Sequence, residues 1–272
     1  MTGRFERKFI EGLFVDAAEE MYNRIMEVYE ERKSKVYDGE LTPKEFGKLI
    51  DYASASALRE FLEREGFKPK VFSEEWFRNY KSSNPAILIV DPVDGTSNIS
   101  RGIRYSAISL AISDGPYLDD VYAGYVRNIF TGEAYFAYAG IGAYKDGRRI
   151  RVRPTLKTID AFVSIAITHE IPGKSKSLEI LRYTNYPRHL GSAALEDCLV
   201  AEGVLDLHID IRGSLRVYDI GASQLIVKEA GGKVWMRQGS SYKVSIEKVG
   251  RVDIISAASP HLLEKTLDIL GL

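Results

Sequence analysis

The first sixty residues alternate between apolar stretches at helical spacing and charged stretches. Between Phe5 and Tyr29 the apolar side chains repeat every three or four residues, which predicts one long amphipathic helix. The charged stretch Glu31–Pro43 contains a glycine and a proline, and it predicts a mobile loop. A second helix is predicted from about Lys44 to Arg64, ending at Gly66.

The next stretch consists of short apolar runs bounded by turn residues, which is typical of β-strands. The dipeptide Asp146-Gly147, followed by alternating polar and apolar residues, predicts a β-hairpin. The predicted strands before it are Lys70–Ser73, Ala86–Val90, Ala107–Ser113, Val121–Asn128 and Ala134–Ala139.

After Pro154 the pattern changes to strands alternating with helices, which predicts an α/β half. We therefore divide the chain into an N-terminal α+β half, residues 1–155, and a C-terminal α/β half, residues 156–272. No Gly/Ser-rich linker separates them, so we expect the halves to pack together. The predicted strands are Ala161–Ile167, Leu205–Ile211, Lys233–Met236 and Val252–Ser256, and the predicted helices are Lys176–Tyr183, Ser192–Glu202, Tyr218–Ala230 and Pro260–Leu270.

Composition narrows the class of protein without identifying it. With 45% hydrophobic and 28% charged residues, the 272-residue chain is expected to be a globular protein rather than a disordered one. Its 37 basic and 38 acidic residues give no indication of a nucleic-acid surface, and no apolar run has the length of a membrane span. A single cysteine, Cys198, and a charged start without a secretory signal favour a reducing, cytoplasmic setting.

The most informative stretch joins a buried strand to two aspartates. The apolar run Ile87–Val90 leads directly into Asp91-Pro92-Val93-Asp94-Gly95-Thr96, so a strand end presents two carboxylates three residues apart. Without a nearby histidine or cysteine, these groups favour a hard divalent cation, Mg²⁺ before Zn²⁺. The segment after Asp94 can open a short helix whose N–H groups suit a phosphate. Read alone, the motif could also be an Asp/Pro/Gly-rich turn.

The four histidines, in contrast, lack the spacing of zinc ligands. We interpret each of them as an ordinary surface or core residue. They are His169, His189, His208 and His261.

The stretch from Asp91 to Asn98, DPVDGTSN, resembles the signature of the inositol monophosphatase superfamily of Mg²⁺-dependent, lithium-sensitive sugar-phosphate phosphatases. Tyr218-Asp219 with Lys228–Gly232 resembles that family's second signature, Trp-Asp-x-Ala-Ala followed by Glu-Ala-Gly-Gly, although Tyr218 replaces the tryptophan and Gly221 the first alanine. Two weaker matches are Arg188–Leu195, similar to the start of the substrate-positioning helix, and Ser73-Glu74-Glu75.

The resemblance implies a set of metal ligands and a catalytic pair. The implied ligands are Glu74, Asp91, Asp94, Asp219 and the backbone carbonyl of Val93, which together would hold two or three Mg²⁺ ions, with Mn²⁺ as a possible substitute. The implied catalytic pair is Thr96, whose hydroxyl orients a water, and Asp51, which precedes Glu74 by 23 residues. The glutamate that usually follows four residues after this aspartate is Ala55 here.

The resemblance also implies substrate contacts. Eukaryotic members carry an acid seven residues before the metal aspartate, where this chain has Arg212, and an arginine suits a second phosphate better than a neutral polyol. The pattern from Asp210 to Arg216 resembles archaeal members that act on both fructose 1,6-bisphosphate and inositol 1-phosphate. The expected substrate-binding residues are Gly95, Thr96, Ser97, Arg188, Gly191, Ser192, Arg212 and Arg216.

The expected fold is the layered αβαβα sandwich of the sugar phosphatases, an α/β (α+β) class, with the site between the halves. Residues 31–43 are expected to close over the metals, and the family suggests a homodimer or a higher homo-oligomer. The partners expected are a sugar or inositol phosphate, with no nucleic acid and no membrane. The alternatives are an inositol-1-monophosphatase only, a 3′-phosphoadenosine-5′-phosphate phosphatase, or a non-catalytic interaction protein.

Overall fold

The computed structural model describes residues 4–74, 84–153, 158–167, 176–248 and 250–272. Two helices open this part of the chain, α1 (Arg7–Tyr37) and α2 (Pro43–Arg64). Thr42 caps α2: its hydroxyl accepts a hydrogen bond from the Glu45 N–H, and the Glu45 carboxylate accepts one from the Thr42 N–H.

A seven-stranded sheet follows, with its strands side by side in chain order. The first two strands are parallel, and each later strand is antiparallel to the one before it. A one-turn helix, α3 (Thr96–Ile99), follows the second strand. The strands are β1 (Lys70–Ser73), β2 (Ile87–Asp94), β3 (Ala107–Ser113), β4 (Val121–Asn128), β5 (Ala134–Tyr138), β6 (Gly142–Lys145) and β7 (Arg148–Ile150).

The second sheet has five strands: β8 (Phe162–Ile165), β9 (Tyr186–Arg188), β10 (Leu207–Leu215), β11 (Lys233–Gln238) and β12 (Val252–Ala257). They lie in the order β11-β12-β10-β8-β9. The remaining helices are α4 (Ala193–Ala201), α5 (Val217–Ile220), α6 (Ser223–Glu229) and α7 (Pro260–Leu270), and 3₁₀ turns lie at Leu118–Asp120, Thr158–Asp160 and Lys176–Arg182.

Alternation along the strands separates the core into layers. In β2, Leu88 and Val90 pack with α1 and α2, whereas Ile87 and Ile89 point to the opposite face and pack with α4 and α6. In β12, Ile254 shares that middle core, and Ile255 packs on the far side against α7. The order is thus helices, sheet, helices, sheet, helix, which confirms the predicted αβαβα sandwich.

Most predicted elements are present, but three predictions were wrong. The segment 31–43 is not a loop through most of its length, because α1 continues to Tyr37 and ends before Gly39, whose φ of 75° terminates the helix. The segment 176–182 forms a 3₁₀ helix, and the helix predicted at 218–230 is interrupted between α5 and α6. The Asp146-Gly147 hairpin is confirmed, with φ values of 48° and 75° at its two turn residues.

Among the residues that the structure describes, none of the helices is long and apolar enough to cross a membrane.

Candidate active site

A cavity of about 400 Å³ opens where the end of β2 and α3 face the start of α4 and the end of β10. It draws residues from both halves of the chain, and carboxylates dominate the side chains that line it. These residues are Glu74, Asp91, Val93, Asp94, Gly95, Thr96, Ser97, Asn98, Ala166, His189, Gly191, Ala193, Glu196, Asp210, Arg212, Ser214, Leu215 and Asp219.

A β-bulge brings Asp91 and Asp94 to the same cavity. Residues three apart in a regular strand point to opposite faces of the sheet. In β2, however, Asp91 pairs with Ser109 and Asp94 pairs with Ala107 of the neighbouring β3, so β2 carries one extra residue at this point. The extra residue reverses the alternation. The Val93 N–H then donates to Oδ1 of Asp91 at 3.1 Å, which fixes that carboxylate.

Asp94 is held by the other half of the chain. Its Oδ2 accepts hydrogen bonds from Ser192 Oγ at 2.6 Å and from the Ala194 N–H at the start of α4 at 2.8 Å. A carboxylate at a helix N-terminus is stabilised by the unpaired N–H groups there. Asp94 therefore links β2 to α4, and it is fixed by residues about one hundred positions further along the chain.

Asp219 is held in a similar way at the start of α5. Its Oδ2 accepts a hydrogen bond from the Arg216 N–H at 2.8 Å, three residues earlier. In each of the three aspartates, one carboxylate oxygen is thus fixed by the protein. The second oxygen of each accepts no hydrogen bond from the residues described here.

Burial and neighbouring carboxylates raise the pKa of all three aspartates. Burial raises the pKa of Asp91 well above its usual range, and the charges of Asp219 and Asp94 add to this effect. Burial likewise raises the pKa of Asp94 to about 6, against the lowering effect of its hydrogen bonds to Ser192 and Ala194. Burial and the charge of Asp94 raise the pKa of Asp219 to about 8. Desolvated like charges at one place destabilise the fold unless a cation compensates them.

The donor set fits Mg²⁺, because this cation prefers oxygen ligands, carboxylates above all. Each aspartate has one fixed oxygen and one unused oxygen, and a divalent ion would relieve the repulsion between their negative charges. Among the described residues, no three histidine, cysteine or acidic side chains are already grouped as a formed metal site. Binding would therefore require the carboxylates to turn toward the ion.

Thr96 and Asp51 form the predicted hydrogen-bonded pair. Thr96 Oγ1 lies 3.1 Å from Oδ1 of Asp51 and 2.9 Å from the carbonyl oxygen of Val93. The pair depends on Gly47, one turn before Asp51 on α2: a Cβ atom there would lie 2.7 Å from Cγ2 of Thr96. Glycine at this position lets α2 approach α3 closely enough for Asp51 to reach Thr96. Asp51 itself lines an adjoining cavity that also contacts Thr96 and Ser97.

Gly95 allows the tight turn between β2 and α3. Its φ is 88°, in the left-handed region, and a Cβ atom would lie 3.1 Å from the carbonyl oxygens of both Gly191 and Tyr105. The turn therefore also brings Gly191, another predicted substrate residue, beside the motif. Ser97 lines the cavity as well, and Ser192 contacts Asp94.

Glu74 lies at the edge of the same cavity. β1 runs parallel to β2, with Ser73 paired to Val90, so the next residue along each strand is Glu74 on one and Asp91 on the other. Glu74 is exposed, in contrast to the buried Asp91. Glu75, the second acid of that motif, lies outside the described residues.

The three predicted arginines are placed differently from one another. Arg212 lines the cavity, and its Nε and one Nη donate to the two carboxylate oxygens of Asp210, at 2.9 and 2.5 Å. Arg188 stacks over the ring of Phe162 at 5.2 Å, and Arg216 lines a separate cavity beside Glu247. Of the three arginines, only Arg212 belongs to the described lining of the cavity.

Sequence reasoning missed several residues that line or organise the cavity. Glu196 and Asp210 contribute carboxylates, and the Asn98 side chain donates at 2.8 Å to the carbonyl oxygens of Tyr105 and Leu190. Asn98 thus joins the β2–α3 turn to the segment before α4. Asn98 is the last residue of the DPVDGTSN signature, so the sequence offered a signal for it. No local sequence pattern distinguishes Glu196 from a glutamate on a helix surface.

The comparisons with known proteins agree with this geometry. The inositol monophosphatase family matches residues 7–270. A fructose-1,6-bisphosphatase/inositol-1-monophosphatase of Methanothermobacter thermautotrophicus is 33% identical over 237 residues, which cover 82% of each chain. A bifunctional NADP phosphatase/NAD kinase of Methanococcus maripaludis is 28% identical over 82% of this chain and 42% of its own length. The fold matches an inositol monophosphatase from Zymomonas mobilis with a TM-score of 0.79, at 20% identity, covering 99% of this chain and 100% of that one.

The fold and the match over nearly the whole chain define a phosphatase. The protein belongs to the inositol monophosphatase family.

The raised carboxylate pKa values predict how the stability of the metal-free protein depends on pH. Between about pH 4 and pH 8 the folded state binds more protons than the unfolded state, so the free energy of unfolding in EDTA falls as pH rises. Asp219→Asn removes one of these groups and should make the fall less steep. Urea unfolding across this pH range measures both slopes.

Added Mg²⁺ provides the complementary measurement. At a concentration 100-fold above its dissociation constant, a ligand adds about 2.7 kcal/mol to stability, which is roughly 5–10 °C in Tm for a chain of this size. At pH 8 we expect such a rise in the wild type and a much smaller one in Asp219→Asn. Equal rises in both, or an unchanged pH slope, would contradict a cation site at these carboxylates.

Proposed function

We propose that this protein is a Mg²⁺-dependent phosphate monoester hydrolase that acts on fructose 1,6-bisphosphate and inositol 1-phosphate. The observation that carries the proposal is that Asp91, Asp94 and Asp219, with raised pKa values, line one cavity with Thr96, whose hydroxyl lies 3.1 Å from Asp51. The names of two archaeal relatives, both fructose-1,6-bisphosphatase/inositol-1-monophosphatase, support the choice of substrates.

The residues that would hold Mg²⁺ are Asp91, Asp94, Asp219, Glu74 and the carbonyl oxygen of Val93. The ions, two or three in number with Mn²⁺ as a possible substitute, supply charge for the attacking and leaving oxygens and acidify bound water. The protein's own contribution is to fix one oxygen of each aspartate. Because these oxygens are held by backbone N–H groups and Ser192, each aspartate stays at the cavity, and only its second oxygen has to turn toward an ion.

Thr96 would orient the attacking water. Its hydroxyl carries one proton and can donate to either Asp51 or the Val93 carbonyl, but not to both. When the proton lies toward Asp51, the lone pairs of Oγ1 can accept a hydrogen bond from a water in the cavity and so orient it. No covalent intermediate is needed, since water is the nucleophile.

The phosphate group would lie against the turn between β2 and α3. The N–H groups of Gly95, Thr96 and Ser97 stand at the start of a helix, where the first N–H groups lack intrahelical partners. Gly191 and Ser192 complete this side of the cavity. Arg212 would contact a second phosphate: its pairing with Asp210 uses two of the five guanidinium N–H groups and leaves three. We also assign Arg188 and Arg216 to the distal end of the substrate, as the sequence resemblance implies.

Measuring phosphate release from a panel of esters, with and without Mg²⁺, tests the proposal. We expect release from fructose 1,6-bisphosphate and inositol 1-phosphate that EDTA stops and Mg²⁺ restores. Asp94→Asn should lower kcat by about 100-fold or more, because it removes a negative charge from the metal site. The asparagine side-chain oxygen can still accept the hydrogen bonds from Ser192 and Ala194, so the local structure should be kept. More than about a tenth of the wild-type activity in Asp94→Asn would reject this ligand assignment.

Substitutions of Thr96 test the orientation of water separately from metal binding. Thr96→Ala removes the hydroxyl and should lower kcat by about 100-fold or more. Thr96→Ser keeps the hydroxyl and should retain most of the activity, although its missing methyl group leaves a gap beside Gly47. Steady-state kinetics at saturating Mg²⁺ compare the two, and similar losses in both variants would show that packing, not the hydroxyl, is what matters.

Arg212 distinguishes the two proposed substrates. Arg212→Ala should reduce kcat/KM for fructose 1,6-bisphosphate more than for inositol 1-phosphate, since only the first carries a distal phosphate. A difference of about 10-fold is expected for loss of one charge-assisted contact. Equal losses for both substrates would reject the distal-phosphate role.

A second candidate is dephosphorylation of NADP. It is favoured by the match of 82% of this chain to a protein named bifunctional NADP phosphatase/NAD kinase. NADP belongs in the same panel, together with 3′-phosphoadenosine-5′-phosphate. A kcat/KM for NADP above that for both sugar esters would favour this candidate.

A further inference from the structure

Three charged side chains lie buried directly behind one wall of the cavity. His208 of β10 and Asp197 of α4 are fully buried, and Glu196 of α4 is 2% exposed. His208 Nδ1 lies 2.7 Å from Oδ1 of Asp197. Burial alone would lower the pKa of His208, but Asp197, Glu196 and Asp210 outweigh it and raise this pKa to about 9. The ring is therefore an imidazolium at neutral pH, and both of its nitrogens are donors.

Both carboxylate oxygens of Asp197 are bound to buried side chains. One oxygen accepts from His208, and the other accepts from Ser223 Oγ at 2.7 Å. Ser223 begins α6, so the Asp197 carboxylate ties α4 to β10 and to the helix that follows Asp219. Asp197 does not line the cavity among the described residues, and its role is to anchor the imidazolium.

Glu196 differs from Asp197 because its carboxylate borders the cavity. Its Oε1 accepts from the Leu190 N–H at 3.0 Å and from Ser164 Oγ. Its Oε2 lies 3.6 Å from His208 Nε2, too far for a hydrogen bond, and Nε2 is a buried atom without a partner. Within the described structure, Oε2 accepts no hydrogen bond. Glu196 thus lines the cavity with a carboxylate that is incompletely satisfied and has a buried cation beside it.

The imidazolium explains how the cavity tolerates this carboxylate. A phosphate ester is an anion, so an isolated glutamate in the cavity would repel it. With a positive ring 3.6 Å behind it, Glu196 can accept a hydrogen bond while adding little net negative charge. The group that suits such an acceptor is a neutral donor, and a polyol presents hydroxyl groups.

The position of Glu196 suits the alcohol rather than the phosphate. In-line displacement places the leaving alcohol across the phosphorus from the attacking water. If Thr96 and Asp51 orient that water, the alcohol lies toward the residues contributed by α4 and β10, among them Glu196.

We propose that Glu196 is a substrate-binding residue whose carboxylate accepts a hydrogen bond from a hydroxyl group in the polyol part of the ester; this inference rests on the proposed function. His208 and Asp197 are positioning residues, which hold the Glu196 carboxylate in place and compensate its charge. This arrangement selects esters with hydroxyl groups near the phosphate over esters that lack them.

The test compares Glu196→Gln with the wild type on esters with and without hydroxyl groups, in saturating Mg²⁺. Inositol 1-phosphate and fructose 1,6-bisphosphate carry hydroxyls, whereas 4-nitrophenyl phosphate carries none. We expect kcat/KM to fall by about 10- to 100-fold for the two polyol esters, mainly through KM, and by less than about 2-fold for 4-nitrophenyl phosphate. Glu202→Gln is the matched control, since Glu202 caps the end of α4 and pairs with Lys145, away from the cavity.

Equal losses on all three esters would reduce Glu196 to a structural residue, and the absence of any loss would equally overturn the proposal. Failure of the proposed function has a different signature, because the wild type itself would then release no phosphate from either polyol ester. That result would overturn the hydroxyl-acceptor role as well.

A double-mutant cycle tests the positioning role of His208. His208→Asn keeps a donor near Asp197 but removes the positive charge, so the repulsion by Glu196 should raise KM for the polyol esters. Adding Glu196→Gln to His208→Asn removes the uncompensated carboxylate, and KM should then rise no further or fall back. Simple additivity of the two effects on KM would reject the compensation. If His208→Asn does not fold, the comparison of esters with Glu196→Gln alone still decides the proposal.

Discussion

Repulsion between buried carboxylates is the constraint on which the site depends. Asp91, Asp94 and Asp219 share one cavity, and each makes the ionisation of the others less favourable. A fold that relied on stability alone would not place them together. The structure compensates in part with backbone and hydroxyl donors to one oxygen of each carboxylate. The part left uncompensated would attract a divalent cation, as proposed above. The layered architecture brings the three contributing elements to one cavity.

The donors also explain why the two halves of the chain form one unit around the site. Asp94 comes from the first sheet, but the groups that hold it, Ser192 and the Ala194 N–H, belong to the segment that opens α4. Asn98 reaches the same segment through the carbonyl of Leu190. The second half therefore fixes a carboxylate of the first, and the site needs both halves in place.

Sequence patterns predicted correctly those elements that depend on residues close together in the chain. The buried strand β2 and its acidic end follow from apolar residues running into Asp91, and the hairpin follows from Asp146-Gly147. The extent of α1 was missed because apolar periodicity fades after Tyr29, whereas a helix continues until a residue such as Gly39 stops it. The bulge in β2 and the place of His208 between two carboxylates were not predictable, since both depend on partners distant in the chain. The metal ligands and substrate contacts remain predictions.

The charges around the cavity predict that a cation binds before, or together with, a phosphate ester. Within the described lining, six carboxylates face a single arginine, Arg212, which is itself paired with Asp210. A phosphate dianion entering this cavity alone would meet net repulsion. Cations bound at the aspartates, as proposed, would reverse the sign of the potential at the place proposed for the phosphate. Metal and substrate would then be coupled, each binding more tightly in the presence of the other. His208 lies beside Glu196, and Arg212 pairs with Asp210, so a positive group offsets each of these two remaining carboxylates.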